Sequence, residues 1–290
     1  MPMKLVKTRN KMKEELDFTI VTASYNYGKY IGECIESVIA QDGVTLEHLI
    51  FDGGSTDNTP EVVARYDSVL FKQEPDNGMC DAINKGFKAA RGRWVMWLNS
   101  DDRLLPGALL EVKRFAEAQG EADVIYGGWN FINEDGSFKK RMTLFPHQKS
   151  MMLYVGCYIG STSAFYRRET VIAEGHLLNE DFRYVMDGEF YARLAEKGKK
   201  FMYLPRILAD FRWHGGNLSV RNYNVGNVDD WLTLQKQYAE TRAIRRAYGK
   251  VWFKDENFNT FRDSFLYLFW RIMKPILKMI HFRKLKNNGE

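Results

Sequence analysis

Acidic side chains follow two short apolar runs of this sequence, at the points where the runs end. Asp52 comes directly after Phe51, and Asp101 and Asp102 stand just beyond the run 94–98. Carboxylate oxygens are the ligands that hard divalent cations prefer, so the acidic pair is a candidate metal site. The same pair could instead cap the helix expected to begin near Pro106. The residues alone leave both interpretations open.

The elements that would carry these acids alternate between strand and helix along the first part of the chain. Apolar or β-branched runs predict strands at 18–23, 46–51, 69–72 and 94–98, and amphipathic spacing predicts helices at 29–40, 61–66, 82–90 and 106–119. Such alternation is typical of an α/β fold with a Rossmann-like, mixed and mostly parallel sheet flanked by helices. Ligands of these folds bind beyond the carboxyl ends of the strands, which is where both groups of acids fall.

The pattern changes in the second half of the chain, where hairpin and strand signals replace the regular alternation. We expect a hairpin with a first strand at 124–132 and a turn at 134–137, strands at 161–167, 201–204 and 208–213, and helices at 185–197 and 223–248. We find no internal repeat and no low-complexity linker. The predicted organisation is a basic segment 1–16, one catalytic domain 17–220, a helical extension 221–257 and a basic, aromatic segment 258–290.

Composition describes a globular chain and excludes several other classes. The 290 residues are 45% hydrophobic and 27% charged, which provides for one large core and excludes wholesale disorder. Cys34, Cys80 and Cys157 form no Cys-x-x-Cys or Cys/His cluster, so neither a disulfide framework nor a zinc site is expected. Because no secretory leader and no run of about 18 uncharged apolar residues is found, we expect a cytoplasmic protein without a membrane-spanning helix.

Six motifs stand in a fixed order along the chain. They are Thr22-Ala23-Ser24-Tyr25-Asn26, Asp52-Gly53-Gly54-Ser55-Thr56-Asp57, Asn77-Gly78 with Asn84-Lys85-Gly86, Leu98-Asn99-Ser100-Asp101-Asp102, Met186-Asp187-Gly188-Glu189 and Arg212-Trp213-His214-Gly215-Gly216-Asn217. Their order and spacing resemble the family 2 glycosyltransferases of GT-A fold. The resemblance covers about residues 18–219 and is strongest to bacterial enzymes that build O-antigen, capsule and exopolysaccharide.

This resemblance implies an inverting, metal-dependent transfer of a sugar from a nucleotide-diphospho-sugar, with UDP-sugars favoured, to a hydroxyl of a saccharide. It implies that Asp101 and His214 hold Mg²⁺ or Mn²⁺, and that the donor is lined by Ala23, Ser24, Tyr25, Asp52, Asp81, Asn84, Asn99 and Ser100. Asp52 matches the carboxylate that contacts the base. Asp81 could equally be an exposed acid near a helix N-terminus. Asn99 stands where many members have Asp, so metal affinity would depend on Asp101, His214 and phosphate oxygens.

Asp187 matches the catalytic base of that family. A base must lie within hydrogen-bond reach of the acceptor hydroxyl, opposite the departing diphosphate. Glu189 stands two residues further on and would project elsewhere on a helix. The alternative interpretation of Asp187 is an ordinary acid at a helix start, stabilised by the helix dipole.

The basic charge of the chain is concentrated at its C-terminal end. Residues 241–290 contain twelve Lys and Arg against four Asp and Glu, whereas the whole chain has a net charge of only +5. Arg271, Lys274 and Lys278 share one helical stripe opposite aromatic and aliphatic residues, with Pro275 as an expected kink. This pattern is typical of an in-plane anchor on an anionic membrane, while packing on the chain's own domain or on a second subunit of a homo-oligomer is the alternative.

The anchor and the resemblance together predict a protein bound peripherally to the inner face of the cell membrane. Its acceptor would be a saccharide, either free or linked to polyprenyl diphosphate. A non-catalytic, nucleotide-binding adaptor at the membrane is the second hypothesis, although it would need neither Asp187 nor His214. We expect no nucleic-acid partner, because the bases of the tail alternate with too many large aliphatic residues to follow a phosphate backbone.

Overall fold

The structure is a computed structural model that describes residues 16–155, 157–217 and 228–248, together with seven residues between 269 and 279. The expected basic segment 1–16 lies outside the described residues, except for Leu16. The same holds for most of the expected anchor 258–290.

One mixed sheet of nine strands forms the centre of the molecule. Its strands are β1 (Phe18–Ser24), β2 (Leu46–Asp52), β3 (Val69–Gln73), β4 (Trp94–Trp97), β5 (Arg103–Leu104), β6 (Val124–Asn133), β7 (Phe138–Met142), β8 (Ala164–Arg167) and β9 (Phe201–Trp213). They lie in the order β3-β2-β1-β4-β8-β6-β9-β5, and β7 pairs with β6. The first four strands of this order are parallel, as the alternation predicts.

Helices cover both faces of this sheet. They are α1 (Ile31–Ile39), α2 (Thr59–Val63), α3 (Met79–Ala89), α4 (Ala108–Gln119), α5 (Lys149–Val155), α6 (Met186–Glu196) and α7 (Val228–Tyr248). On one face Val38 of α1 and Val112 of α4 pack with Ile20 of β1. On the other face Phe87 of α3 and Phe190 of α6 pack with neighbours of the sheet. The predicted arrangement of a sheet flanked by helices is confirmed.

Three predicted strands differ from those in the structure. The strands expected at 201–204 and 208–213 are one continuous β9, whose register against β6 shifts around Gly128. Pro205 stands in that irregular stretch, where its missing N–H is tolerated, so the proline does not end the strand. The strand expected at 161–167 begins only at Ala164, because 161–163 form a 3₁₀ turn.

No helix among the described ranges is long and apolar enough to cross a membrane.

Candidate active site

Asp101 and His214 meet at the carboxyl end of β4, although 113 residues separate them in sequence. The antiparallel pairing of β5 with β9 sets Arg103 opposite Asp210 and so carries the residues after β4 to the end of β9. His214 Nε2 lies 2.9 Å from Asp101 Oδ2, and Asn217 Nδ2 donates to the same oxygen at 2.8 Å. The Asp101 side chain is buried, with 5% of the residue exposed.

This pair fits a divalent cation whose remaining ligands come from a substrate. Ligands of Mg²⁺ lie at about 2.1 Å in octahedral geometry, so two neighbouring ligands are about 3 Å apart, close to the 2.9 Å between His214 Nε2 and Asp101 Oδ2. Asp101 Oδ1 accepts no hydrogen bond from the described residues. Within those residues no group of three His, Cys, Asp or Glu side chains could hold a metal alone. Phosphate oxygens and water would therefore complete the coordination, as is usual for Mg²⁺.

Asp102, the neighbour of Asp101, serves the protein scaffold. Its Oδ1 accepts from Arg212 N at 3.0 Å, and its Oδ2 accepts from Thr162 Oγ1 at 2.6 Å and Asn99 Nδ2 at 2.9 Å. Burial raises the pKa of the Asp102 carboxyl well above its usual value, and the nearby charge of Asp101 raises it further, against the effect of these hydrogen bonds. Asp102 thus connects the turn after β4 with the end of β9 and with Thr162, next to the pair of Asp101 and His214.

Arg212 supports the pair from below and is a residue to which the sequence pattern assigned no role. Its buried guanidinium donates to the carbonyl of Asp101 at 2.9 Å, to the carbonyl of Glu134 at 2.9 Å and to Glu33 Oε2 at 2.6 Å. The ring of Tyr30 lies 4.8 Å from the His214 ring. An arginine directly preceding the Trp-His motif was the available signal, but its partners are too distant in sequence to be inferred from it.

The loops that are predicted to bind the nucleotide-sugar donor lie side by side at the ends of β1 and β2, where Ser24 pairs with Asp52. Asn26 has a left-handed backbone with φ of 59°, which asparagine tolerates. Its Oδ1 accepts from Thr56 N at 2.8 Å, and its N–H donates to Ser55 Oγ at 2.7 Å. Ser24 Oγ is buried without a hydrogen-bond partner among the described residues. Ser24 Oγ therefore retains unused hydrogen-bonding capacity at the end of β1.

The other predicted nucleotide contacts at these loops differ in how accessible they are. Tyr25 is 59% exposed, and Ala23 is half-buried. Asp52 is buried, and its Oδ1 already accepts from Gly54 N, Ser55 N and Gln73 Nε2. Within the described ranges, its Oδ2 accepts from Ser55 Oγ alone, at 2.6 Å. Because a carboxylate oxygen can accept two hydrogen bonds, Oδ2 is the atom that retains capacity for a ligand.

Two residues of α3 that are predicted to contact the nucleotide sugar form hydrogen bonds or ion pairs within the protein. Asp81 Oδ2 accepts from Asn77 N at 3.0 Å and lies 3.2 Å from Lys85 Nζ. Asn84 is buried, and its amide group both donates to and accepts from the backbone of Leu178, at 3.0 and 2.9 Å. These contacts give Asp81 a place in the first turn of α3 and make Asn84 an anchor for the chain before α6.

Asn99 and Ser100 occupy the turn between β4 and Asp101. Asn99 Nδ2 donates to Asp102 Oδ2 at 2.9 Å, and Ser100 Oγ donates to the carbonyl of Ala23 at 2.8 Å. Ser100 therefore links the metal-site turn to the donor loop after β1. Both side chains thus form hydrogen bonds that stabilise the turn carrying Asp101.

Asp187 lies in the first turn of α6. Burial raises the pKa of its carboxyl above the ordinary value, against the effect of hydrogen bonds from Gly188 N and from its own backbone N–H. The bond from Gly188 N measures 2.7 Å, and no side chain of the described residues donates to Asp187. A carboxylate held only by backbone groups, with a raised pKa, is suited to accept a proton.

Glu189 is not available for such chemistry. Its fully buried carboxylate forms an ion pair with Arg193 at 2.8 Å and accepts from Tyr248 Oη at 2.6 Å.

The three cysteines are free thiols, in agreement with the sequence. Asp57 accepts from Thr59 N at 3.0 Å and from Gly28 N at 3.0 Å, so it shapes the turn before α2.

Comparison with known sequences gives one family and includes a relative that is much longer than this chain. The sequence model of glycosyl transferase family 2 matches residues 19–174, so Asp187 and His214 lie beyond the matched part. Chondroitin synthase of Pasteurella multocida (strain Pm70) is 28% identical over 244 residues, which are 82% of this chain and 25% of that protein. The chain thus spans about a quarter of that relative's length.

Comparison with solved structures shows the fold. The 1–349 fragment of TarS from S. aureus, in complex with UDP-GlcNAc, aligns with a TM-score of 0.60 at 16% identity, covering 88% of this chain and 79% of that one. Mannosyltransferase PcManGT from Pyrobaculum calidifontis, in complex with GDP-Man and Mn²⁺, aligns with a TM-score of 0.54 at 15% identity, covering 96% and 89%. The architecture is that of the GT-A glycosyltransferases.

Proposed function

The chain belongs to glycosyl transferase family 2, and we propose that it moves a sugar from a nucleotide-diphospho-sugar to a hydroxyl of a saccharide, with inversion at the anomeric carbon. The observation that carries the proposal is the contact between the buried Asp101 and His214 at the carboxyl end of β4. UDP-sugars are the favoured donors, because a protein of the same fold was solved with UDP-GlcNAc. The similarity to chondroitin synthase supports a role in polysaccharide biosynthesis.

Asp101 and His214 would hold Mg²⁺ or Mn²⁺ together with the diphosphate oxygens of the donor. When bound, such a cation neutralises the charge that develops on the departing nucleoside diphosphate. Ser24, Tyr25 and Ala23 line the nucleotide side of the crevice, and Asp52 Oδ2 is the acceptor for a donor group of the base. Ser100 and Asn99 keep this wall and the metal pair in register through their bonds to Ala23 and Asp102.

Asp187 is the proposed catalytic base. The acceptor oxygen attacks the anomeric carbon while the bond from that carbon to the diphosphate oxygen breaks, and Asp187 takes the proton of the acceptor hydroxyl. One displacement on the face opposite the leaving group inverts the configuration. The segment 157–162 connects the two halves of the site, because Thr162 bonds to Asp102 and Cys157 lies beside Gly188. The acceptor would lie along this segment.

The test is turnover of a panel of UDP-, GDP- and dTDP-sugars with saccharide acceptors, with Mn²⁺ or Mg²⁺ and with EDTA. We expect release of nucleoside diphosphate that requires the cation, and a product of inverted anomeric configuration by NMR. The matched variants are Asp187→Asn and Asp42→Asn, which alters an exposed acid outside the site. Wild-type transfer by Asp187→Asn would refute the base assignment, and turnover unaffected by EDTA would refute the metal.

We also propose a membrane-bound acceptor, a saccharide linked to polyprenyl diphosphate at the cytoplasmic face. Ile272, Ile276 and Met279 are helical, exposed and spaced by four and three residues. Leu277, on the other side of that helix, packs against the core cluster that contains Phe190. An apolar face turned to solvent next to a run of Lys and Arg in the sequence is the pattern of a helix that lies in the membrane interface.

A further inference from the structure

Helix α7 lies beyond the family match and contacts the chain directly before Asp187. The carboxylate of Glu240 accepts hydrogen bonds from three consecutive backbone N–H groups, those of Arg183 (3.0 Å), Tyr184 (2.9 Å) and Val185 (3.1 Å). Consecutive N–H groups that converge in this way form an anion-binding concavity. Glu240 supplies the anion from a helix more than fifty residues further along the chain.

The N-cap residue of α6 provides no side-chain cap for the helix. The first backbone N–H groups of a helix have no acceptor within the helix, and a Ser, Thr, Asp or Asn at the N-cap usually supplies one. The N-cap of α6 is Val185, which makes no side-chain hydrogen bond. A carboxylate at this end is also favoured by the helix dipole. Glu240 instead satisfies the N–H groups of Arg183, Tyr184 and Val185, the three residues that lead directly into the first turn of α6.

Two further residues of α7 reinforce this contact from the same helix face. Ile244, four residues after Glu240, is buried against Ala192 with Val185 at its side. Tyr248, four residues further, donates to Glu189 Oε1 at 2.6 Å, and burial raises the pKa of the Tyr248 hydroxyl to about 12, so it remains a donor at neutral pH. Contacts from α7 thus bracket Asp187 at 183–185 and at 189.

Among the residues that the structure describes, only backbone N–H groups donate to the Asp187 carboxylate. The path of the backbone at 185–188 therefore helps to set where its oxygens point. That backbone is fixed on its N-terminal side by Glu240. We propose that Glu240 is a positioning residue for the catalytic base, an inference that rests on the proposed role of Asp187.

Steady-state kinetics of Glu240→Gln and Glu240→Ala test this. Gln keeps the shape and one acceptor oxygen, but it loses the charge and turns an amide donor toward the backbone N–H groups. We expect kcat to fall about tenfold or more, because small displacements of a catalytic group are costly, while KM for the nucleotide sugar changes less than twofold. Glu117→Gln, an exposed glutamate on α4, is the matched control and should behave as wild type. A wild-type kcat in both Glu240 variants would overturn the proposal.

A double variant separates positioning of the base from a general effect. If Glu240 acts through Asp187, adding Glu240→Gln to Asp187→Asn should leave the residual rate unchanged. A further fall equal to that seen in the wild-type background would overturn the proposal. Wild-type turnover by Asp187→Asn itself would instead refute the assigned base.

Hydrogen exchange gives a readout that does not depend on activity. The amide groups of 183–185 should exchange at least tenfold faster in Glu240→Ala than in wild type or Glu117→Gln, and the melting temperature should show that the fold is retained. Unchanged exchange at these amides would contradict the proposed support.

Discussion

Asp101 keeps one carboxylate oxygen without a donor among the described residues, and Asp187 is bonded by backbone groups alone. In contrast, Asp102 and Glu189 use both oxygens on protein donors. A metal ligand or a base needs an oxygen that the protein has not already satisfied. The hydrogen bonds therefore leave Asp101 and Asp187 suited to the proposed chemistry, and they commit Asp102 and Glu189 to the scaffold.

Replacement of Asp101 by Asn should remove most of the cation-dependent activity. The amide keeps the size of the side chain and can still contact His214, but it lacks the charge that a divalent ion requires. We expect kcat/KM to fall by about 10²–10³, the range for loss of one electrostatic contact to a transition state, with a higher Mn²⁺ concentration needed for half-maximal rate. Asp42→Asn is the control, and retention of wild-type Mn²⁺ dependence in Asp101→Asn would count against this ligand.

The raised pKa of Asp187 predicts how activity and stability depend on pH. A base acts only when unprotonated, so the acid limb of kcat/KM should lie at higher pH than the titration of an ordinary aspartate, and it should be absent from the residual rate of Asp187→Asn. General-base loss should lower kcat by about 10²–10⁴. An acid limb of the same shape in wild type and variant would show that another group titrates.

The raised pKa of Asp187 also affects how the stability of the fold depends on pH. Because the folded state holds the Asp187 proton more tightly than the unfolded state, stability falls as pH rises from the unfolded pKa through the folded one. We therefore expect Asp187→Asn to melt at pH 7 at the same or a higher temperature than wild type. A clearly lower melting temperature at pH 7 would mean that ionised Asp187 stabilises the fold.

At the site, sequence alone predicts which residues lie near one another better than what each of them contacts. Asp52 and Asp101 could be placed because they follow strands, whereas His214 was assigned through the resemblance to family 2 glycosyltransferases. The engagement of Asn84 by Leu178, 94 residues away, has no local signal, since either amide atom could have faced a ligand. Glu240 was equally hidden, because an acid in the middle of a helical pattern gives no indication of which backbone it will meet.

At the scale of elements, the regular strand and helix alternation of the first half was predictable, and its boundaries were accurate to a few residues. In that half the two-residue strand β5 was missed, and the other errors fall in the second half. Pro205 suggested a break that β9 accommodates within an irregular pairing. Helix α5 was not predicted: the Met151 and Met152 side chains that it buries lie in a seven-residue helix, which is too short to show a clear period.

Two helical glycines should respond in opposite directions to alanine. A Cβ on Gly86 of α3 would lie 2.2 Å from Val21 Cγ1 of β1, and the branched Val21 side chain has little freedom to move. A Cβ on Gly32 of α1 would meet Tyr66 Oη at 3.4 Å, an ordinary contact. We expect Gly86→Ala to lower the free energy of unfolding by about 1–3 kcal/mol and Gly32→Ala to raise it by about 0.5 kcal/mol. Denaturant unfolding measures both, and equal effects would mean that α3 can shift away from β1.

At the scale of the whole molecule, the net charge of +5 is the sum of two regions of the chain that differ in charge. The acids of the domain include those that would face a cation and a diphosphate, whereas the excess of Lys and Arg lies at the C-terminal end. The described residues of that end contact the domain through Leu277 and leave Ile272 and Ile276 exposed. One side of this helix thus fixes it to the catalytic domain, and the other remains for a separate partner.

If that partner is an anionic bilayer, Ile272→Ser and Ile276→Ser should weaken vesicle binding. Each loses apolar area that would enter the interface, so we expect roughly tenfold weaker partitioning per substitution, measured by flotation with vesicles containing phosphatidylglycerol. Leu70→Ser and Phe138→Ser, at other exposed apolar positions, are the matched controls and should leave binding unchanged. Deletion of 258–290 should abolish flotation, and added salt should weaken binding of the wild type by screening the Lys and Arg side chains. Unchanged flotation of the deletion variant would remove the membrane from the proposal, and concentration-dependent dimers lost in Ile272→Ser would identify a second copy of the chain as the partner.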